Sequence, residues 1–217
     1  TPPVTVTTMT TTLVVDETEV ITKNAYDSTP AGPDFYLAQY PMLGGPMIWA
    51  TFLGGLGTEK VESVNFAVRT DGTLVVAAES NSPDFPLATQ GFDPTFNGGF
   101  GSASYGSEDC VIATIAPGAI PTTSQLLAAT YYGGSSGEGC AGVAVDSQNR
   151  IYVTGGSASS DLPLKGGPHQ SQRPGPRSAF LAVFSADLRT LLHSGYFGGT
   201  GLGASNALLI RSDSASS

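Results

Sequence analysis

The sequence predicts an all-β chain of repeated units, each with four short antiparallel strands. Three observations predict it. First, Thr51-Phe52-Leu53-Gly54-Gly55 returns as Thr130-Tyr131-Tyr132-Gly133-Gly134 and again as Gly195-Tyr196-Phe197-Gly198-Gly199. A long internal period means that one supersecondary unit is copied. Second, the register persists beyond the glycines. Ala67 to Val76 aligns with Ala144 to Val153 at an offset of 144 − 67 = 77 residues, and Asp84-Phe85-Pro86-Leu87 with Asp161-Leu162-Pro163-Leu164 at the same offset. Third, the apolar runs are short, rich in β-branched residues and separated by Gly, Pro and Ser, with no stripe at helical spacing.

Residues 1–23 are a Thr-rich lead, read as an outer strand running into Leu13-Val14-Val15 or as a linker. Residues 24–55 hold the second half of a unit, with Asp34 to Tyr40 as a strand. Residues 56–134 form a full unit. Its strands are Val64 to Val68, Thr73 to Ala77, Cys110 to Ala116 and Leu126 to Tyr132, with an aromatic and Gly-rich insertion at 92–108. Thr70-Asp71-Gly72 suits a tight hairpin because Gly tolerates positive φ. Ser147-Gln148-Asn149 stands there in the next copy, and Asn is the next best residue for that conformation. Residues 135–199 are a second full unit, with Ala179 to Ser185 and Leu191 to Phe197 as its last hairpin. Residues 200–217 begin another unit at Ala207 to Arg211 and end in a Ser-rich tail that is expected to fray.

Four antiparallel strands make the size and shape of a β-propeller blade. The Gly-Gly falls where one blade hands over to the next, and a Cβ is costly where neighbours crowd the backbone. About three blades do not close a ring, since propellers carry about four to eight. The expectation is therefore an incomplete ring: a piece of a longer protein, or a chain whose open ends pair with others. The chain opens on Thr rather than Met, which predicts a start removed by processing or cropping.

The pattern resembles the SBBP repeat, a β-propeller repeat of secreted and cell-surface bacterial proteins. The residues that carry the likeness are Ala129 to Gly134, Gly142 to Ser147, Arg150 to Gly155, Ser160 to Pro163 and Ser178 to Ala182. The resemblance covers about four-fifths of the chain. It implies propeller blades and an extracellular, cell-surface or periplasmic setting, and it brings no catalytic residues with it. The chain departs from a uniform repeat where Asp146 is replaced by Arg69 and Arg211 in the other copies, so that position is no shared metal ligand.

Net charge is −9, with 12% charged residues and a pI near 4.4. An acidic balance with scarce cations argues against nucleic acid, which selects clustered Lys and Arg. No run of eighteen apolar residues occurs, so no helix is expected to span a membrane. Gly-x-Ser-x-Gly is absent, and His169 and His193 are far apart in sequence, so no catalytic site is expected. No Asp-x-Asp-x-Asp loop and no CxxC occur, so neither calcium, zinc nor another cofactor is expected. Asp71, Asp84, Asp109, Asp146 and Asp161 recur at turns and read as caps of nearby backbone N–H groups.

Cys110 and Cys140 are the only cysteines. An even pair in a secreted β-protein is a candidate disulfide, here one that would staple neighbouring blades; the alternative is two buried thiols. Trp49, Phe52, Tyr131, Tyr132, Tyr196 and Phe197 alternate with small residues and read as core between blades. Phe92, Phe96, Phe100 and Tyr105 lie instead in the insertion and form a candidate partner-binding loop. The expected function is a non-catalytic extracellular structural or protein-interaction module whose partners are other chains or further blades. The alternatives are a propeller that binds a glycan or another small ligand, and an accessory subunit of a bacterial envelope complex.

Overall fold

The computed structural model describes residues 23–60, 65–87, 91–98, 107–201 and 203, together with the backbone of 4–5 and 9–10. These residues are all-β apart from one short 3-10 turn at Thr122–Ser124. Thirteen strands build three antiparallel sheets. Sheet I holds β1 (Val4–Thr5), β2 (Met9–Thr10), β3 (Phe35–Pro41) and β4 (Trp49–Leu53). Sheet II holds β5 (Glu59–Lys60), β6 (Phe66–Val68), β7 (Leu74–Ser80), β8 (Asp109–Ile115) and β9 (Leu126–Tyr132). Sheet III runs in simple order through β10 (Glu138–Val145), β11 (Ile151–Ser157), β12 (Ser178–Phe184) and β13 (Leu191–Phe197). No ring is closed among the described residues.

The local chemistry explains the hairpins. At the β6–β7 turn Gly72 takes φ +86° while Asp71 accepts the Thr73 N–H. At the β10–β11 turn Asn149 takes φ +59°, and Asp146 accepts the N–H groups of Gln148 and Arg150. The lead supplies β1 and β2, which pair in succession along one edge of β3. Leu13-Val14-Val15 and the strand expected at Ala207 to Arg211 lie outside the described residues.

Each sheet packs one face on the next in the same sense. Leu74, Val76, Val111, Ile115 and Tyr131 of sheet II face Phe35, Leu37, Trp49 and Leu53 of sheet I. The opposite face of sheet II, with Val75, Cys110, Ile112 and Tyr132, meets Ile151, Val153, Phe180, Phe184 and Tyr196 of sheet III. Phe35, Leu37 and Leu53 thus hold in sheet I the register positions that Cys110, Ile112 and Tyr132 hold in sheet II. The stack is head-to-tail, as repeats that bury their faces only against neighbours require. Polar staples cross it. Buried Gln125 accepts the Trp49 indole N–H at 2.9 Å and donates to the carbonyls of Asn24 and Ala119. Arg69 reaches from sheet II to the Ala186 carbonyl at 2.6 Å.

The last strand of each sheet would present a row of unpaired backbone groups, an aggregation hazard. A strap covers it each time. Lys23 and Asp27 carbonyls accept the N–H groups of Ala50 and Phe52, Asp93 accepts Tyr131 N–H, and Lys165 and Gln170 accept those of Ser194 and Tyr196.

Two tyrosines then fix the loop that follows the second strand. Tyr131 OH donates to the Ser82 carbonyl at 2.6 Å and accepts Phe85 N–H at 3.1 Å. Tyr196 OH repeats this on Ser159 and Leu162 at 2.9 and 3.0 Å. Tyr131→Phe leaves the Ser82 carbonyl and the Phe85 N–H only their long mutual bond of 3.4 Å, so it is expected to cost about 1–3 kcal/mol in urea unfolding.

Candidate functional site

The densest polar chemistry sits where one sheet hands over to the next. Glu59 opens β5 and Glu138 opens β10, and both are buried. Glu138 Oε2 accepts the Gly134 N–H at 2.7 Å. Its Oε1 accepts the Ser157 hydroxyl at 2.7 Å and the Ser159 N–H at 3.3 Å. Glu59 repeats the arrangement: Oε2 takes the Gly55 N–H at 3.3 Å, and Oε1 takes the hydroxyls of Ser80 and Ser82 at 2.7 and 2.6 Å. One carboxylate thus ties the Gly-Gly crossing to the strand and loop beside it.

A second acid meets each glutamate from the preceding sheet. Asp34 stands directly before β3, and Asp109 opens β8. A Cβ on Gly133 would lie 2.8 Å from Glu138 Oε2 and closer still to Asp109 Oδ1; one on Gly54 would strike Asp34 Oδ1 and Glu59 Oε2 together. Backbone bonds set this geometry. Glu59 N–H donates to the Pro33 carbonyl and Glu138 N–H to the Glu108 carbonyl, each acceptor directly preceding the aspartate. Asp109 is fully buried. Its Oδ2 accepts the Asn97 N–H at 2.6 Å, and its Oδ1 has no hydrogen-bond partner. Burial pushes the Asp109 carboxyl up to about 7, against the lowering by the Asn97 N–H. Burial likewise raises Asp34, Glu59 and Glu138.

Sequence reasoning missed the two glutamates. Glu138 reads as loop composition, yet it starts a strand and is fully enclosed. The signal is the shared spacing Gly54-Gly55-x-x-x-Glu59 and Gly133-Gly134-x-x-x-Glu138. The aspartates divide in role. Asp71 and Asp146 cap their own turns, whereas Asp84 and Asp161 reach across to the N–H groups of Leu56 and Ser135, both at 3.0 Å. The crossing glycines do not have positive φ at Gly54, Gly55, Gly133 or Gly134; the close approach of side chains is what excludes a Cβ there.

Cys110 and Cys140 are joined as a disulfide, Cα atoms 5.3 Å apart, linking β8 of sheet II to β10 of sheet III. They follow Asp109 and Glu138 closely, so the covalent staple lies beside the carboxylate pair. Asn65 adds a buried bond to the Cys140 carbonyl at 3.0 Å.

The aromatic insertion is used differently from its composition. Phe92 packs edge-on to Phe184 at 6.0 Å, and Phe96 edge-on to Tyr131 at 5.9 Å. Both are partly buried against the two cores, so these rings serve packing between elements distant in sequence. Phe100 and Tyr105 lie outside the described residues. Trp49, Tyr131, Tyr132 and Tyr196 are fully buried, while Phe52 and Phe197 are half-buried. His169 stacks on Phe197 at 5.1 Å, and His193 places Nδ1 3.2 Å from the Gly166 carbonyl.

The hairpin end of the stack carries the most exposed apolar side chains. Leu43 at 97% and Ile120 at 92% stand on the β3–β4 and β8–β9 loops. A cavity of about 290 Å³ opens between sheets II and III, lined in part by Arg69, Leu127, Asp187 and Arg189. Among the described residues, no three His, Cys, Asp or Glu side chains are grouped so as to hold a metal ion. No helix among them is long and apolar enough to cross a membrane.

Two outcomes follow from this geometry. Gly134→Ala drives a Cβ into Asp161 and Ser159, whereas Gly199→Ala, at the equivalent position of sheet III, meets open space. Thermal melts should show a loss of about 1–3 kcal/mol or more for the first and little change for the second. Replacing both cysteines by Ser should cost about 3–4 kcal/mol in denaturant unfolding, the chain-entropy value for a loop of this size.

Comparison with known proteins adds no identity: no family model matches the chain, and no curated protein matches it.

Proposed function

We propose that this chain is a non-catalytic extracellular module that assembles with further sheets of its own kind, in a longer protein or in a complex. In this reading the three sheets are blades of a β-propeller repeat of the SBBP type, and the motifs that resemble that repeat support it. The observation that carries the reading is the head-to-tail stacking. Sheet III presents outward Tyr152, Leu181 and Phe197, the register equivalents of Val75, Ile112 and Tyr132. Those three are core in sheet II, where the next sheet covers them. Tyr152, Leu181 and Phe197 are only half-buried. A face with the same pleat and apolar content suits another sheet.

The disulfide supports an extracellular setting, since such bonds persist in oxidising compartments. The packing roles of His169 and His193 support the non-catalytic reading. Turnover of an ester, peptide or glycoside substrate that disappears on replacing either histidine would overturn it.

A heterologous contact of this sort adds copies until a ring closes, or without end where none does, so association grows with concentration. Light scattering should therefore show species larger than the 22.1 kDa chain as concentration rises. Leu181→Glu, on the outward face, should suppress that association while leaving the melt of the chain close to wild type. A monomer at every concentration would refute continuation of the stack between chains.

A further inference from the structure

We propose that the two sheet junctions are proton-sharing locks, one proton held between Asp34 and Glu59 joining sheet I to sheet II and one between Asp109 and Glu138 joining sheet II to sheet III, so that the stack loosens as its surroundings turn alkaline.

Two acids meet at each junction, and the second junction is the drier: Asp34 is half-buried and its oxygens accept the Gly32 and Ala31 N–H groups at 3.3 and 3.1 Å, whereas Asp109 is enclosed. Two carboxyl groups converge on one glycine α-carbon, at Gly54 and at Gly133. Both glutamate oxygens already accept from Ser or Gly donors, which suits the ionised form. Asp109 is the complementary partner. Its Oδ2 is committed to the Asn97 N–H, with the Gly98 N–H also acting on the carboxyl, and its buried Oδ1 makes no hydrogen bond among the described residues and faces the crossing that Glu138 Oε2 also faces. A hydrogen on Oδ1, donated to Glu138 Oε2, satisfies the orphaned atom and removes the repulsion at once. Two carboxylates crowded against one glycine α-carbon do not both ionise readily.

Neighbouring charges leave the proton as the remaining counter-charge among the described residues. The strap beside Asp109 brings Asp93, and that beside Asp34 brings Asp27, both of which oppose ionisation. Lys60, next to Glu59, turns to Glu108 at 2.7 Å. Glu79 and Arg177 approach each other at Gly139, one residue beyond Glu138. Arg173 donates to the carbonyls of Ala158 and Pro176. Asp84 lies toward Tyr131 and Asp161 toward Tyr196, and both add negative charge.

The third junction is an internal control. Its backbone bond is kept, Gly203 N–H donating to the Arg177 carbonyl at 2.9 Å as Glu138 N–H donates to Glu108. There Ser178 stands for the aspartate and Gly203 for the glutamate. Both acids occur together in two junctions and both are absent from the third, as a pair that works only as a pair requires.

The sign follows from the raised carboxyls. A group whose folded value lies above its unfolded value, about 3.9 for Asp, stabilises fully below that unfolded value. The stabilisation is lost as pH rises through the folded value, about 7 for Asp109. The proton then leaves to water, and two anions remain, both enclosed at Asp109 and Glu138.

The test is a series of thermal melts from pH 5 to pH 8.5 on wild type, Asp109→Asn and Asp34→Asn/Asp109→Asn. Asn keeps the shape and donates an amide N–H to the glutamate at every pH. Wild type should lose melting temperature across the window, the single variant less and the double variant least, with Asp109→Asn more stable than wild type at pH 8.5. Equal losses in all three proteins would overturn the proposal. So would a wild-type melt at pH 8.5 that calcium or sodium chloride raises and that of Asp109→Asn does not, which would make the junction a cation site. Should the variants fail to fold, infrared spectroscopy of wild type with isotope-labelled Asp decides. A protonated-carboxyl band at pH 6 that vanishes by pH 9 supports the lock, and no such band at pH 6 refutes it.

Discussion

The carboxylate that opens each unit, Glu59 or Glu138, is the interaction on which the rest of the structure depends. It is enclosed, and an enclosed carboxylate must be surrounded by donors. Those donors come from three places: the Gly-Gly crossing, the end of the second strand and the serine-bearing loop beyond it. Satisfying one side chain therefore fixes the relative positions of three segments. The Tyr131 and Tyr196 hydroxyls act on the same loops from the fourth strand. A short polar cluster thus does at one end of each sheet what apolar packing does along its faces.

Polar cross-links stand at both ends of the stack, with mainly apolar packing in between. At the crossing end lie the acids and the disulfide. At the hairpin end Gln125 links sheet I to sheet II, and Arg69 links sheet II to sheet III. Between them the buried side chains of adjacent sheets interdigitate in two cores. This division gives register: apolar faces alone would tolerate sliding of one sheet over the next, whereas a hydrogen bond to Trp49 or a bond between Cys110 and Cys140 does not. The same logic explains why the straps matter. They add backbone bonds to the outer edges of β4, β9 and β13.

Much of the architecture was legible in the chain because its determinants are local. The turns at Asp71-Gly72 and at Asp146 to Asn149 need particular residues at particular backbone angles, and those residues are visible as letters. Strand positions follow from runs of β-branched and aromatic residues, and the repeat doubles each signal. The aromatic insertion shows the limit. Phe92 and Phe96 have nothing to bury them within their own segment, and the surfaces that receive them, Phe184 and Tyr131, are far along the chain.

The sequence by itself determined the strands, the hairpins, the repeated unit and the two cysteines available for a bond. Tertiary structure alone decided what meets at the crossings. Asp109 and Glu138 sit in different sheets, and nothing in their spacing says that both will face the α-carbon of Gly133. The glycine is required there because two side chains crowd it, not because its backbone is unusual, and only packing reveals crowding. The acidity of those groups is likewise a property of the assembled junction, since desolvation by neighbouring sheets sets it.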